Sequence, residues 1–60
     1  MASCKERNGD TWEIYKAPDG WRWRRQAANS RTVGASSEAY KNQADCIANA
    51  RRNGMTCSPA

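Results

Sequence analysis

The chain has no histidine, no leucine and no phenylalanine. Without histidine it lacks the side chain whose ordinary pKa suits proton transfer near neutral pH. Without Leu or Phe, the large apolar residues are Trp12, Ile14, Tyr15, Trp21, Trp23, Val33, Tyr40, Ile47 and Met55. No apolar run is long enough to span a membrane, and the polar start MASCKERNGDT lacks the hydrophobic stretch of a signal peptide. Cysteine is sparse and odd in number: Cys4, Cys46 and Cys57. A disulfide scaffold of this size carries a denser, even set. The expectation is therefore reduced thiols in a cytoplasmic protein, with a Cys4–Cys57 bridge tying the termini as the alternative. With no CxxC pair and no His, zinc would lack a fourth soft ligand. No glycine-rich phosphate loop is present, and Glu6, Asp10, Glu13, Asp19, Glu38 and Asp45 are scattered rather than paired. No metal, no small-molecule cofactor and no membrane partner is expected, and the chain does not read as an enzyme.

What remains is small, basic and rich in tryptophan. Sixty residues make one domain, and the formal net charge is +4. A domain of this length buries only about 60% of the surface its unfolded chain exposes. Apolar burial at about 25 cal/mol per Å² then roughly cancels the cost of ordering the chain. The three tryptophans must supply much of that burial. On these grounds a homodimer is expected, since a second copy would cover further apolar surface. The positive charge permits acidic partners, nucleic acid among them.

The pattern predicts three strands, then one helix. Residues 1–10 read as a flexible tail, with Asn8-Gly9-Asp10 as a breaker. Residues 11–54 form the domain, and 55–60 read as a C-terminal tail. In residues 11–16, Trp12, Ile14 and Lys16 share one face, with Glu13 and Tyr15 on the other. Pro18 and Gly20 mark a turn. In residues 21–27, Trp21, Trp23 and Arg25 share a face opposite Arg22, Arg24 and Gln26. A four-residue loop pairs Lys16 with Trp21, Ile14 with Trp23, Trp12 with Arg25, Glu13 with Arg24 and Tyr15 with Arg22. Each opposition is chemically compatible, and a one-residue slip would move the tryptophans to the arginine side.

Residues 31–36 read as a third strand, entered through a three-residue bulged loop at Asn29-Ser30. That loop would put Val33 and Ala35 on the tryptophan face, where their apolar side chains favour burial, whereas a two-residue loop would put them on the arginine face. A helix follows, capped by Asn42 with Asp45 in its first turn and stopped at Gly54 after Arg51-Arg52-Asn53. Its expected stripe is Ala44, Ile47, Ala48 and Arg51, with Cys46 and Ala50 beside it. The whole is an α+β domain: a three-stranded antiparallel sheet with one helix over its tryptophan face.

The stretch WEIYKAPDGWRWR at 12–24 resembles the core motif of the YegP-like family of small bacterial and archaeal domains. Ala27-Ala28-Asn29, Ser36 and Glu38-Ala39-Tyr40-Lys41 resemble its later elements, so the similarity covers roughly residues 11–48. Ser30 stands where the family carries a turn glycine. The resemblance implies a βββα unit occurring as a homodimer or as a tandem pair. It brings no activity, cofactor or catalytic residue.

The candidate functional residues are Tyr15, Arg22, Arg24, Arg51 and Arg52, read as a face for binding a macromolecule. Arginines on phosphates and a ring under a base would make a nucleic-acid platform. The competing explanation is internal: Glu13 neutralises Arg24, Arg22 lies on Tyr15, and Arg51-Arg52 complement the helix dipole. The preferred reading is a non-enzymatic interaction protein, followed by an RNA- or DNA-binding module. A third, a redox or enzymatic role for Cys46, depends on a thiol pKa lowered near a helix N-terminus; a small core thiol is the commoner state.

Overall fold

The computed structural model describes residues 2–59. It is a four-stranded antiparallel sheet with one helix across one face. The strands are β1 (Ala2–Lys5), β2 (Thr11–Ala17), β3 (Gly20–Gln26) and β4 (Thr32–Ala35), in the spatial order β1-β2-β3-β4, and the helix is α1 (Gln43–Arg52).

The β2–β3 ladder has the register read from the sequence: Trp12↔Arg25, Glu13↔Arg24, Ile14↔Trp23, Tyr15↔Arg22 and Lys16↔Trp21. Pairing continues to Ala17↔Gly20, so the loop tightens to Pro18-Asp19. Alternation then decides burial. Trp12, Ile14 and Trp23 are buried, and the Trp12 and Trp23 rings meet at 5.2 Å with a 50° tilt. Trp21, at the ladder's end, is only half-buried.

The N-terminal expectation is corrected: Ala2–Lys5 is not a tail but a fourth strand, paired to β2 through Ala2↔Ile14 and Cys4↔Trp12. Asn8-Gly9-Asp10 is the hairpin turn that brings it there. Glu6 N–H donates to Asp10 O and Gly9 N–H to Glu6 O, with Gly9 at φ 95°. Met1 and Ala60, the outermost residues of the two expected tails, lie outside the described residues.

The β3–β4 turn repeats that geometry. Ala27 N–H donates to Arg31 O and Ser30 N–H to Ala27 O, with Ser30 at φ 69°. Asn29 Oδ1 accepts from Arg31 N–H as Asn8 Oδ1 accepts from Asp10 N–H. The three-residue loop is therefore as expected, but the placement of Val33 and Ala35 is not. A bulge between Arg25 and Gln26 shifts the register to Arg25↔Gly34 and Arg24↔Ala35. Val33 is left 54% exposed and Ala35 joins the arginine side. Gly34 takes the core-facing position instead, opposite Arg25, where a Cβ would meet the Trp23 ring at 3.8 Å. A bulge inserts one unpaired residue and inverts the alternation beyond it, so a correct loop did not give a correct face.

Beyond β4 the chain returns to β3, where Trp21 and Tyr40 exchange both backbone hydrogen bonds, at 2.7 and 2.8 Å. Gly20, at φ 136°, permits this approach: a Cβ there would lie 2.7 Å from Tyr40 O. Asn42 is the N-cap, but its amide donates to Asp45 rather than accepting from the backbone. The expected stripe on α1 is rotated, because Cys46 and Ala50 are the buried positions while Ala44 and Ala48 are exposed. Asn49 sets that rotation by accepting a 2.8 Å hydrogen bond from the Trp23 indole N–H. Gly54, at φ 112°, ends the helix as expected.

The C-terminal expectation is corrected as well. Met55 is 3% exposed within the core, and Cys57 is bonded to Cys4 across Cα atoms 5.9 Å apart. The reduced-thiol reading fails for these two cysteines, because β1 and the post-helix segment converge beside Trp12. A link across 53 residues restrains the unfolded chain by about 4 kcal/mol.

Two substitutions test the turn geometry by chemical denaturation. Ser30→Gly relieves a left-handed backbone that Gly9 already occupies cheaply in the matching turn, and is expected to stabilise the fold by about 0.5–1 kcal/mol. Gly20→Ala pushes a methyl group into the Tyr40 carbonyl and is expected to cost more than about 1 kcal/mol.

Candidate functional site

Helix α1 covers the side of the sheet that carries Trp12, Ile14 and Trp23, leaving the outer side uncovered. Tyr15, Arg22 and Arg24 alternate onto that outer side, close together as expected. Their contacts differ in part from the expected ones. Glu13 holds Arg24, with Arg24 Nε donating to Glu13 Oε1 at 2.8 Å. The Arg24 guanidinium, not that of Arg22, lies over the Tyr15 ring, at 5.2 Å. Arg22 instead turns to Asp19 in the loop, donating at 2.6 and 3.3 Å. The diagonal neighbour thus takes the ring and the adjacent loop acid takes the direct neighbour.

These pairings set the electrostatics. Hydrogen bonding and charge from Asp19 and Glu13 make Arg22 and Arg24 harder to deprotonate, and Arg22 in turn draws Asp19 below its usual range. Arg24 keeps 42% of its side chain exposed while Glu13 keeps 17%. A pair with its guanidinium this open to solvent, such as Arg24–Glu13, is worth on the order of 1 kcal/mol at most. The carboxylate therefore positions the guanidinium without locking it away.

Arg51 and Arg52 are not part of this surface. Both are exposed at the end of α1, on the helix side of the sheet. Arg52 helps line an open groove of about 390 Å³ with Glu38, Tyr40, Asp45, Ala48 and Asn49. Desolvation, then the nearby Glu38 carboxylate, raises the Tyr40 phenol above its ordinary pKa. The five expected residues therefore form one cluster of three and a separate helix end.

Cys46 is fully buried, and desolvation raises its thiol above the ordinary pKa. This is opposite to the lowered pKa that a reactive cysteine needs. Among the described residues no group of three or more His, Cys, Asp or Glu comes together, and no helix is long and apolar enough to cross a membrane.

Two acidic residues were missed as sites because the sequence reading placed both in a tail. Asp10 grips Arg25 through Nε and Nη2 at 2.8 and 2.7 Å, and the Arg25 guanidinium lies 5.1 Å over the Trp12 ring. Glu6 holds the C-terminal segment. Its carboxylate accepts from Thr56 N–H at 2.7 Å, from the Thr56 hydroxyl, and from Cys57 N–H at 3.4 Å. The Trp12 indole N–H also favours that charge, although it is buried without a hydrogen-bond partner. The available signal was the Asn8-Gly9 turn, which folds residues 2–5 back on β2.

No protein-family model matches the chain, and comparison with curated proteins and with solved structures finds no match. The resemblance to the YegP-like family thus rests on the residues quoted for it.

Hydrogen bonds from Thr56, ahead of all other causes, hold Glu6 below its ordinary value of 4.5. A depressed carboxylate stabilises the fold above its unfolded pKa and loses that contribution as pH falls through the folded one. Stability of the wild type is therefore expected to drop below about pH 4.5, more steeply than that of Glu6→Gln. Denaturant midpoints measured from about pH 6 to about pH 2 check this; parallel curves would refute it.

Proposed function

We propose that the protein is a small, non-enzymatic, homodimeric binding protein whose outer sheet face docks another macromolecule, a protein rather than a nucleic acid. The carrying observation is the Tyr15–Arg24–Glu13 stack: an aromatic ring, a guanidinium over it and a carboxylate aiming that guanidinium, all on an uncovered sheet face. Tyrosine and arginine are the side chains that most often anchor protein interfaces. Here both are already held in place, so binding loses less rotamer freedom.

Internal neutralisation favours a protein partner. Asp19 and Glu13 already answer Arg22 and Arg24, leaving the patch without the unbalanced positive charge that phosphate binding draws on. Arg51 and Arg52 lie on the helix side and cannot add to it.

The homodimer gains less support from core size than the sequence suggests, since Ala2 of β1 and Met55 add to the buried core. Its remaining support is β4, a four-residue edge strand with an open backbone edge and the exposed Val33. A cytoplasmic location belongs to the same reading; there, a bridge of this kind is transient rather than a permanent staple.

The test compares wild type with Tyr15→Ala/Arg24→Ala, after confirming that both fold. A protein crosslinked to the wild type in its native cell and bound directly in purified form is expected to bind the double variant at least tenfold more weakly. Equal affinity would overturn the proposed face. Retention on single- or double-stranded oligonucleotides, steeply salt-dependent and lost in the variant, would replace the reading with the nucleic-acid one. Sedimentation over a concentration series checks the dimer.

A further inference from the structure

The residues after α1 form a strap with no ladder of its own. Three anchors hold it: the Met55 side chain in the core, the Glu6 carboxylate on Thr56 and Cys57, and the bond from Cys57 to Cys4. The strap lies over the Trp12 end of the core, where Met55 shares a cluster with fully buried Trp12 and both bonded cysteines pack against it. The covalent anchor joins two weakly braced elements. β1 is a four-residue edge strand whose only sheet partner is β2.

The bonded pair is also reachable. Cys4 and Cys57 are both partly exposed, whereas Cys46 is sealed in the core and cannot shuffle with them. The noncovalent anchors matter in the other direction. In the bonded form, the seated Met55 and the Glu6–Thr56 hydrogen bond place Cys57 opposite Cys4 at a separation within the usual disulfide range, so the bond can re-form once the strap seats again.

We propose that Cys4–Cys57 is a reversible thiol–disulfide exchange site whose co-reactant is a dithiol, and that its reduction frees residues 54–59 and β1 from the Trp12 end while β2, β3, β4 and α1 stay folded. One thiolate of the dithiol attacks a sulfur of the pair and forms a mixed disulfide. Its second thiolate then displaces the protein sulfur. The reductant leaves as a disulfide, having given up two electrons, and Cys4 and Cys57 each take up a proton as thiols. Local opening of this kind suits the least-braced part of a fold.

The test uses the full chain, air-oxidised or reduced with dithiothreitol, and begins with thiols counted in denaturant. One reactive thiol is expected in the oxidised form and three in the reduced form. Amide exchange at Cys4, Thr56 and Cys57 is expected to quicken at least tenfold on reduction, with Trp23 and Cys46–Ala50 unchanged. Removing the reductant in the presence of a mild oxidant restores the slow exchange. Cys57→Ser is expected to show fast exchange with or without reductant. Three thiols in the oxidised protein would overturn the proposal, as would exchange indifferent to reduction. Loss of protection at Trp23 and α1 would also overturn it, because the bond would then be a staple of the whole fold.

Discussion

The stacking of Trp12 on Trp23 is the contact around which the other elements are arranged. With neither Leu nor Phe available, these two indoles and Ile14 are the large side chains that fill the space between sheet and helix. Each ring also carries an N–H, and the two are treated differently. Trp23 passes its N–H to Asn49 and so fixes which way α1 faces. Trp12 has no such partner, and its end of the core is closed by other means: Arg25 above the ring, β1 alongside, and the Met55 segment across it. A helix of small buried residues, Cys46 and Ala50, leaves room for rings of this size.

Much of this was legible in the residues, and the limits have a physical pattern. The β2–β3 register followed from the turn and from alternation, because the five opposed pairs from Trp12↔Arg25 to Lys16↔Trp21 lie within one short hairpin and reinforce one another. The helix start and stop followed from Asn42 and Gly54. Failures occurred where the deciding partner is remote or the local signal is ambiguous. Ala2–Lys5 is too short and too polar to announce a strand, and its burial is decided by Ile14 and Trp12. Val33 looks like a core residue by type, but the bulge places Gly34 at the inward position, and nothing in RTVGAS marks it. The helix face was misjudged because a hydrogen bond from the Trp23 indole to Asn49, a polar residue, outweighed a weak apolar stripe.

The candidate site was legible to a similar depth. Tyr15, Arg22 and Arg24 were placed on one face by period two, and they share it. Which arginine covers the ring could not be read that way, because direct and diagonal neighbours are both within reach of long side chains. Asp19 decides the matter by claiming Arg22 from the loop. Arg51 and Arg52 were grouped with the strand arginines by charge alone, and charge carries no information about which layer a residue occupies.

Arg24 and Arg25 are adjacent in sequence, project from opposite sides of β3 and enter the same kind of three-part arrangement. Arg24 lies on Tyr15 and is aimed by Glu13; Arg25 lies on Trp12 and is aimed by Asp10. The chemistry is matched, so any difference in role comes from what surrounds each stack. The inner stack is the more closed in: Trp12 is fully buried, and a Cβ on Gly54, at the end of the helix, would meet the Arg25 guanidinium at 3.6 Å. Its contribution is to the fold. On the outer side no element of the sheet or helix is laid over Tyr15 and Arg24, so the same oriented guanidinium faces solvent. One construction thus serves as internal cement on one side and, on the other, forms the contact surface proposed above. The edge strand β1 touches both, since Cys4 pairs with Trp12 at the inner stack and Ser3 with Glu13 at the outer one. The proposed exchange at Cys4–Cys57 and the proposed outer binding face are therefore linked through one four-residue strand.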